Sequence, residues 1–317
     1  MKKIKVLPLI LALPLLVGCN KVGQPRFAKL GDKVDYDAIV QAVDEAKKAN
    51  AFYITEENQH IPSSQTKFNL KVDGQETLKR DGKVILKEEG YSNSKATAEY
   101  NANDKVVRLV SQDNEKGTEK SQTDKETNNQ KNKGTRFIQK YSEEGKEYAI
   151  EADTVMKTFR IVETVEETNP YEAIFDARSM VGYAEGSYYF DYMLDHYPTS
   201  SDERKQEFSF YKNDKIFTAE VKHEETEEEK NAQEEVIKVE KSTVYMKVQV
   251  DLSKEDRARC LTYYEVEQNI EYKKDSGNYY AGDILGGKTI MAGDVRIAKK
   301  DVKIGAVDLT GYKKTLQ

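Results

Sequence analysis

The chain has 317 residues, of which 33% are charged and only 38% hydrophobic, with 50 basic against 56 acidic side chains and a formal net charge of −6. That balance excludes a polytopic membrane protein, and a net-negative body does not favour nucleic acid or an anionic lipid surface, although local basic patches stay open. Two cysteines allow at most one disulfide, and together with three histidines they leave little material for a zinc or haem site, so no metal and no cofactor is expected.

The amino terminus carries the most specific pattern. Lys2, Lys3 and Lys5 precede an apolar run from Val6 to Val17, interrupted only by Pro8 and Pro14. The run is shorter than the roughly 20 residues that span a bilayer. A basic start and a short apolar stretch read as an export signal. The stretch ends in Leu16-Val17-Gly18-Cys19, which resembles the lipobox of bacterial lipoproteins. The resemblance implies removal of residues 1–18, acylation of Cys19 with chains such as palmitate, and a body tethered to the membrane on its extracytoplasmic side. Each buried methylene stabilises attachment by about 0.8 kcal/mol, and more than one chain gives stable anchoring. Loss of Lys2, Lys3 and Lys5 takes the net charge to about −9. Acylation of Cys19 leaves Cys260 outside any disulfide, a small buried hydrophobe.

Residues 19–34, with Gly23, Pro25 and Gly31, read as a tether, and 35–317 as a single domain. Asp35 is a good N-cap for a helix over 36–50, whose apolar stripe is Ile39, Val40, Val43 and Ala46. From Phe68 the period becomes two. Phe68, Leu70 and Val72 alternate with polar residues, and Asp73-Gly74 and Asp81-Gly82 are turn dipeptides. Val106–Val110 is another strand. Residues 111–134 contain no apolar side chain and are expected to be a long disordered loop. Strands resume at 137–141, 148–152 and 155–165. Asn169-Pro170 opens a helix, and a second, unusually aromatic one is expected over 187–197. A second meander follows at 207–211, 215–222, 236–252, 261–274 and 289–300. Within it Val244, Met246, Val248, Val250 and Leu252 alternate with Tyr245, Lys247, Gln249 and Asp251, the pattern of a sheet with one packed and one wet face. Residues 224–235, with seven glutamates around one lysine, read as a solvated hairpin loop, and Gly286-Gly287 as a tight loop.

The expected fold class is α+β, a curved, incomplete-barrel-like antiparallel sheet with covering helices. Motifs for catalysis are absent: no nucleophile elbow, no phosphate loop, no dinucleotide fingerprint, and His60, His196 and His223 far apart in sequence. No enzyme is expected. The aromatic segment supplies the candidate ligand-binding residues Tyr188, Tyr189, Tyr192 and Met193, since apolar pockets are lined by such side chains. A tethered sheet with covering helices resembles the LolA, LolB and LppX-type lipoprotein carriers over roughly 35–305. That resemblance implies non-catalytic binding of a lipid or other hydrophobic ligand in the cell envelope. The alternative is an adhesion or envelope-scaffold module with a filled core and an envelope protein as partner.

Overall fold

The computed structural model describes residues 22–52, 62–101, 106–121, 125–143, 146–164, 194, 197–198, 205, 207–303 and 308–315. Within them the chain is almost wholly antiparallel β-sheet with a single helix that has defined ends, which corrects the α+β expectation. The helices expected over 169–197 lie outside the described residues, apart from Leu194, Tyr197 and Pro198.

In chain order the elements are β1 (Asp32–Val34), α1 (Tyr36–Lys48), β2 (Ser64–Arg80), β3 (Lys83–Asn101), β4 (Val106–Ser121), β5 (Lys125–Glu143), β6 (Lys146–Asp153), β7 (Thr158–Thr164), β8 (Phe208–Asn213), β9 (Ile216–Lys230), β10 (Val236–Lys254), β11 (Arg257–Tyr272), β12 (Ile284–Lys299) and β13 (Lys313–Lys314). They form one 13-stranded sheet in the order β1-β8-β9-β10-β11-β12-β2-β3-β4-β5-β6-β7-β13. Two meanders, β2 to β7 and β8 to β12, therefore lie side by side, joined where β12 pairs antiparallel with β2. Only β13 runs parallel to its neighbour, β7.

The strands are long. β3, β5 and β10 each have 19 residues, or about 60 Å at a rise near 3.3 Å per residue. This length overturns three sequence expectations. Residues 111–134, expected as a disordered loop, are paired at 111–121 within β4 and at 125–132 within β5. Asp73-Gly74 is not a turn: Gly74 sits in mid-β2 opposite Gly90, which in turn faces Gly117. Gly286-Gly287 lies within β12, opposite Thr77 and Glu76. In each case a neighbouring strand in register supplies backbone partners, so pairing propagates past the apolar residues that nucleate it. Asp81-Gly82 is the turn it reads as, with φ of 51° and 73° at the two positions, the left-handed pair of a two-residue hairpin.

The two faces differ. On one, Val248, Val250 and Leu252 of β10 meet Phe217 and Ala219 of β9 and Cys260 of β11. Helix α1 covers this face with Ile39, Ala42, Val43 and Ala46, the stripe that the spacing of its apolar residues requires. Its N-cap is Asp35, which accepts a 2.8 Å hydrogen bond from the Ala38 N–H. Beside it Tyr36 stacks on Tyr197 at 4.3 Å and sits near Phe210.

The opposite face of β9 to β12, β2 and β3 is charged. It displays Lys67, Lys95, Glu267, Glu271 and Arg296 to solvent, a set that the hydrocarbon of a bilayer would not accept on a barrel exterior. The acidic segment expected as a loop is instead the far half of β9. Glu224 to Lys230 pairs with β10 on one side, while β8 pairs only with Ile216 to Val221. Five glutamates on this stretch, among the described residues an open edge, discourage pairing with another chain.

Candidate functional site: the docked amino-terminal strap

Residues 19–34 were expected to be a tether. From Val22 onward they are instead a strap fixed to the charged face. Val22 is only 5% exposed, against Tyr263 of β11 and Ala292 of β12, with Phe27, Tyr91, Tyr245 and Ile290 packed around them. These sheet residues form an apolar belt in an otherwise polar surface. Tyr245 and Tyr263 sit 6.0 Å apart, ring to ring. The strap turns at Pro25, where the Phe27 N–H donates to the Pro25 carbonyl at 2.9 Å. The Phe27 ring then lies under the Lys247 ammonium at 4.9 Å, and that ammonium also binds Glu220 at 2.6 Å.

One side chain clamps the backbone. Gln249 of β10 is 4% exposed. Its Oε1 accepts the Ala28 N–H at 2.7 Å, and its Nε2 donates to the Ala28 carbonyl at 3.3 Å and to Thr218 Oγ1 at 2.9 Å. The clamp reads one peptide unit through both its donor and its acceptor, as a neighbouring strand would. Further on, the Lys29 carbonyl accepts Asn213 Nδ2 at 3.1 Å. Gly31 then passes so close to β8 that a Cβ there would meet the Lys212 carbonyl oxygen at 1.8 Å. Only glycine permits that approach. The chain next pairs as β1 with β8 and enters α1 on the other face. The strap thus wraps the β8 edge, running from the middle of one face to the other.

The titratable groups of the belt are shifted by their surroundings. Burial, and then the Glu220 carboxylate, push the Tyr245 phenol up to about 12. Burial and a 2.7 Å hydrogen bond donated to Glu265 raise Tyr263 as well. Both stay neutral at physiological pH and are poor nucleophiles. Hydrogen bonds from Lys288 and Tyr263 hold the Glu265 carboxyl below its usual range. Among the described residues no group of His, Cys, Asp or Glu side chains is arranged to hold a metal ion.

Cys19, Tyr188, Tyr189, Tyr192 and Met193 all lie outside the described residues, as do His60 and His196. His223 is on β9, with Nδ1 3.1 Å from Glu207 and Nε2 3.2 Å from Glu225. Burial pulls its imidazolium down, but the two carboxylates outweigh it and leave a net upward shift. Cys260 is buried on the α1 face, opposite Val250 and Val295. Sequence reasoning missed Val22, Phe27 and Gln249. A signal was present: an apolar residue, a Pro turn and an aromatic within six positions, followed by a glycine, are more than a flexible spacer requires.

No protein-family model matches the sequence, and no curated protein matches it. Among solved structures, the outer membrane protease OmpT from Escherichia coli aligns at 6% identity over 78% of this chain and 100% of its own, with a TM-score of 0.20. The outer membrane protein OprG from Pseudomonas aeruginosa aligns at 6% identity over 76% of this chain and 99% of its own, with a TM-score of 0.18. Superpositions this loose carry no argument about fold or function.

Proposed function

We propose that the protein is a lipid-anchored, non-catalytic scaffold of the bacterial cell envelope, held at Cys19 and presenting a long antiparallel sheet on the extracytoplasmic side. Two things support this reading: the ordered sequence of basic start, apolar run and Leu16-Val17-Gly18-Cys19, and a strap that takes hold of the sheet three residues beyond that cysteine. An anchor transmits position to a body only if the linker between them is short, and here the chain is docked from Val22 onward.

A filled core is favoured over a lipid-carrying one by the packing under α1. There Ile39, Val43, Phe217 and Val248 are each at most 2% exposed, so the protein's own side chains occupy the space that acyl chains would need. The carrier alternative would draw on Tyr188, Tyr189, Tyr192 and Met193. Native mass spectrometry of detergent-free mature protein finding co-purified lipid would reinstate it. The anchor itself is tested on the amino-terminal peptide of the protein taken from its cell membrane. The reading expects a diacylglyceryl-modified Cys19 and release of a Cys19→Ala variant from acylation. An unmodified Cys19 peptide would refute it.

A further inference from the structure

The place where the strap is fixed decides more than attachment. Val22 is buried against Tyr263 and Ala292, in the interior of the sheet and not at a rim. From Tyr263 the shorter run of β11 ends six residues away at Arg257, about 20 Å along the strand. Across the strands, β11 is four spacings from the β1 edge, again about 20 Å at roughly 4.8 Å per strand. The three residues from Cys19 to Val22 reach at most about 10 Å when fully extended. An acylated Cys19 lies at the lipid–water interface. If the sheet stood upright, on a strand end or on its β1 edge, the chain would have to reach twice as far as it can.

We infer that the strap-bearing face of the sheet lies against the surface of the bilayer that holds Cys19, and that the α1 face is the one presented outward. This rests on the anchor reading above and adds an orientation to it. The chemistry of the face fits a headgroup layer. Lys67, Lys71, Lys95, Arg259 and Arg296 share this face of β2, β3, β11 and β12, interspersed with the carboxylates of Asp73, Glu99 and Asp294. Arg259 and Arg296 hold Asp294 at 2.9 and 2.6 Å. Basic groups held near an anionic bilayer surface are attracted to it. The apolar belt beneath the strap is covered by Val22 and Phe27 and does not insert into lipid, so the contact is peripheral.

The sequence has no tryptophan, which makes single-tryptophan reporters clean. Mature protein beginning at Cys19, with Cys260→Ala so that Cys19 carries the one thiol, is coupled to a maleimide lipid. The vesicles are phosphatidylcholine and phosphatidylglycerol containing a headgroup spin label. Lys67→Trp and Lys95→Trp report on the strap face, and Glu45→Trp on the outer side of α1, all at exposed positions. Circular dichroism checks that each variant is folded. Quenching several-fold stronger at Lys67→Trp and Lys95→Trp than at Glu45→Trp is the expected result. A flexible Gly-Ser spacer of about 12 residues between Cys19 and Val22 should remove most of that difference by lengthening the reach. Equal quenching at the three sites, or stronger quenching at Glu45→Trp, overturns the orientation. Because the coupling is chemical, the result is independent of whether cells acylate Cys19. An unmodified Cys19 in cells would defeat the anchor reading alone.

Discussion

Replacing Gln249 with leucine tests the strap directly. The substitution keeps the side chain's size and burial but removes all three hydrogen bonds of the amide. Two of them hold the Ala28 peptide unit. At about 1 kcal/mol net per bond, docking of the strap weakens by about 2 kcal/mol. At a factor of ten per 1.4 kcal/mol this is an increase of about 30-fold in the undocked population. Arg26 and Lys29 are exposed side chains within the strap, but trypsin needs the surrounding backbone to be free. When reclosing is fast, the cleavage rate follows the open population, so cutting after Arg26 and Lys29 should accelerate by about 30-fold. Thr218, only 2% exposed, loses its partner as well, which lowers global stability by a further 1–3 kcal/mol, roughly. The two effects separate by site: strap cleavage rises under conditions where the sheet stays folded by circular dichroism. Unchanged strap cleavage beside a lowered melting temperature would show that Gln249 supports the sheet and does not hold the strap.

Three further outcomes follow from the same structure. Phe217→Ala, at 1% exposure under α1, should cost about 3–5 kcal/mol in denaturant unfolding, and a loss below about 1 kcal/mol would mean that the α1 face is not a packed core. Asp283, buried at 1% and bound through both oxygens by Arg80, has its carboxyl held below the usual range first by that hydrogen bond. A depressed folded value stabilises above the unfolded value near 3.9 and fades as pH falls through the folded one. Asp283→Asn should therefore lower the melting temperature at neutral pH, and the gap from the parent should close in acid; a gap independent of pH contradicts this. For His223 the sign is opposite: a raised folded value stabilises below about 6.5 and is lost as pH rises through the folded value. Its NMR titration midpoint should fall in Glu207→Gln, and an unmoved midpoint would remove Glu207 as a cause.

What could be read from the sequence was whatever depends on local chemistry. Asp35 caps α1 because a short acidic side chain meets free N–H groups there, and Ile39, Val43 and Ala46 of the expected stripe are buried, while Val40 is only half-buried and Ala42 takes the place beside Val43. Alternation along Val244 to Leu252 identified the packed side of β10. The failures share one cause, partners distant in sequence. The glutamates of β9 and the polar halves of β4 and β5 carry no apolar period of their own and become strands because a long neighbour extends beside them. Gly74 looks like half of a turn until Gly90 and Thr289 are opposite it. The strap was the largest omission. Val22 and Phe27 are unremarkable in a linker, and they acquire a role only from a belt built by Tyr91, Tyr245, Tyr263, Ile290 and Ala292, on four strands of two meanders.

The central claim is that the amino-terminal segment is clamped to the charged face, and hydrogen exchange at the Ala28 amide tests it most directly. That N–H donates to Gln249 Oε1 at 2.7 Å in a segment outside any strand, so protection there has no other source. Slow exchange at Ala28 in the parent protein, lost in Gln249→Leu while the amides of β10 and β11 stay protected, is the predicted result. Exchange at the rate of an unfolded peptide in the parent would contradict the clamp, and with it the orientation that depends on it.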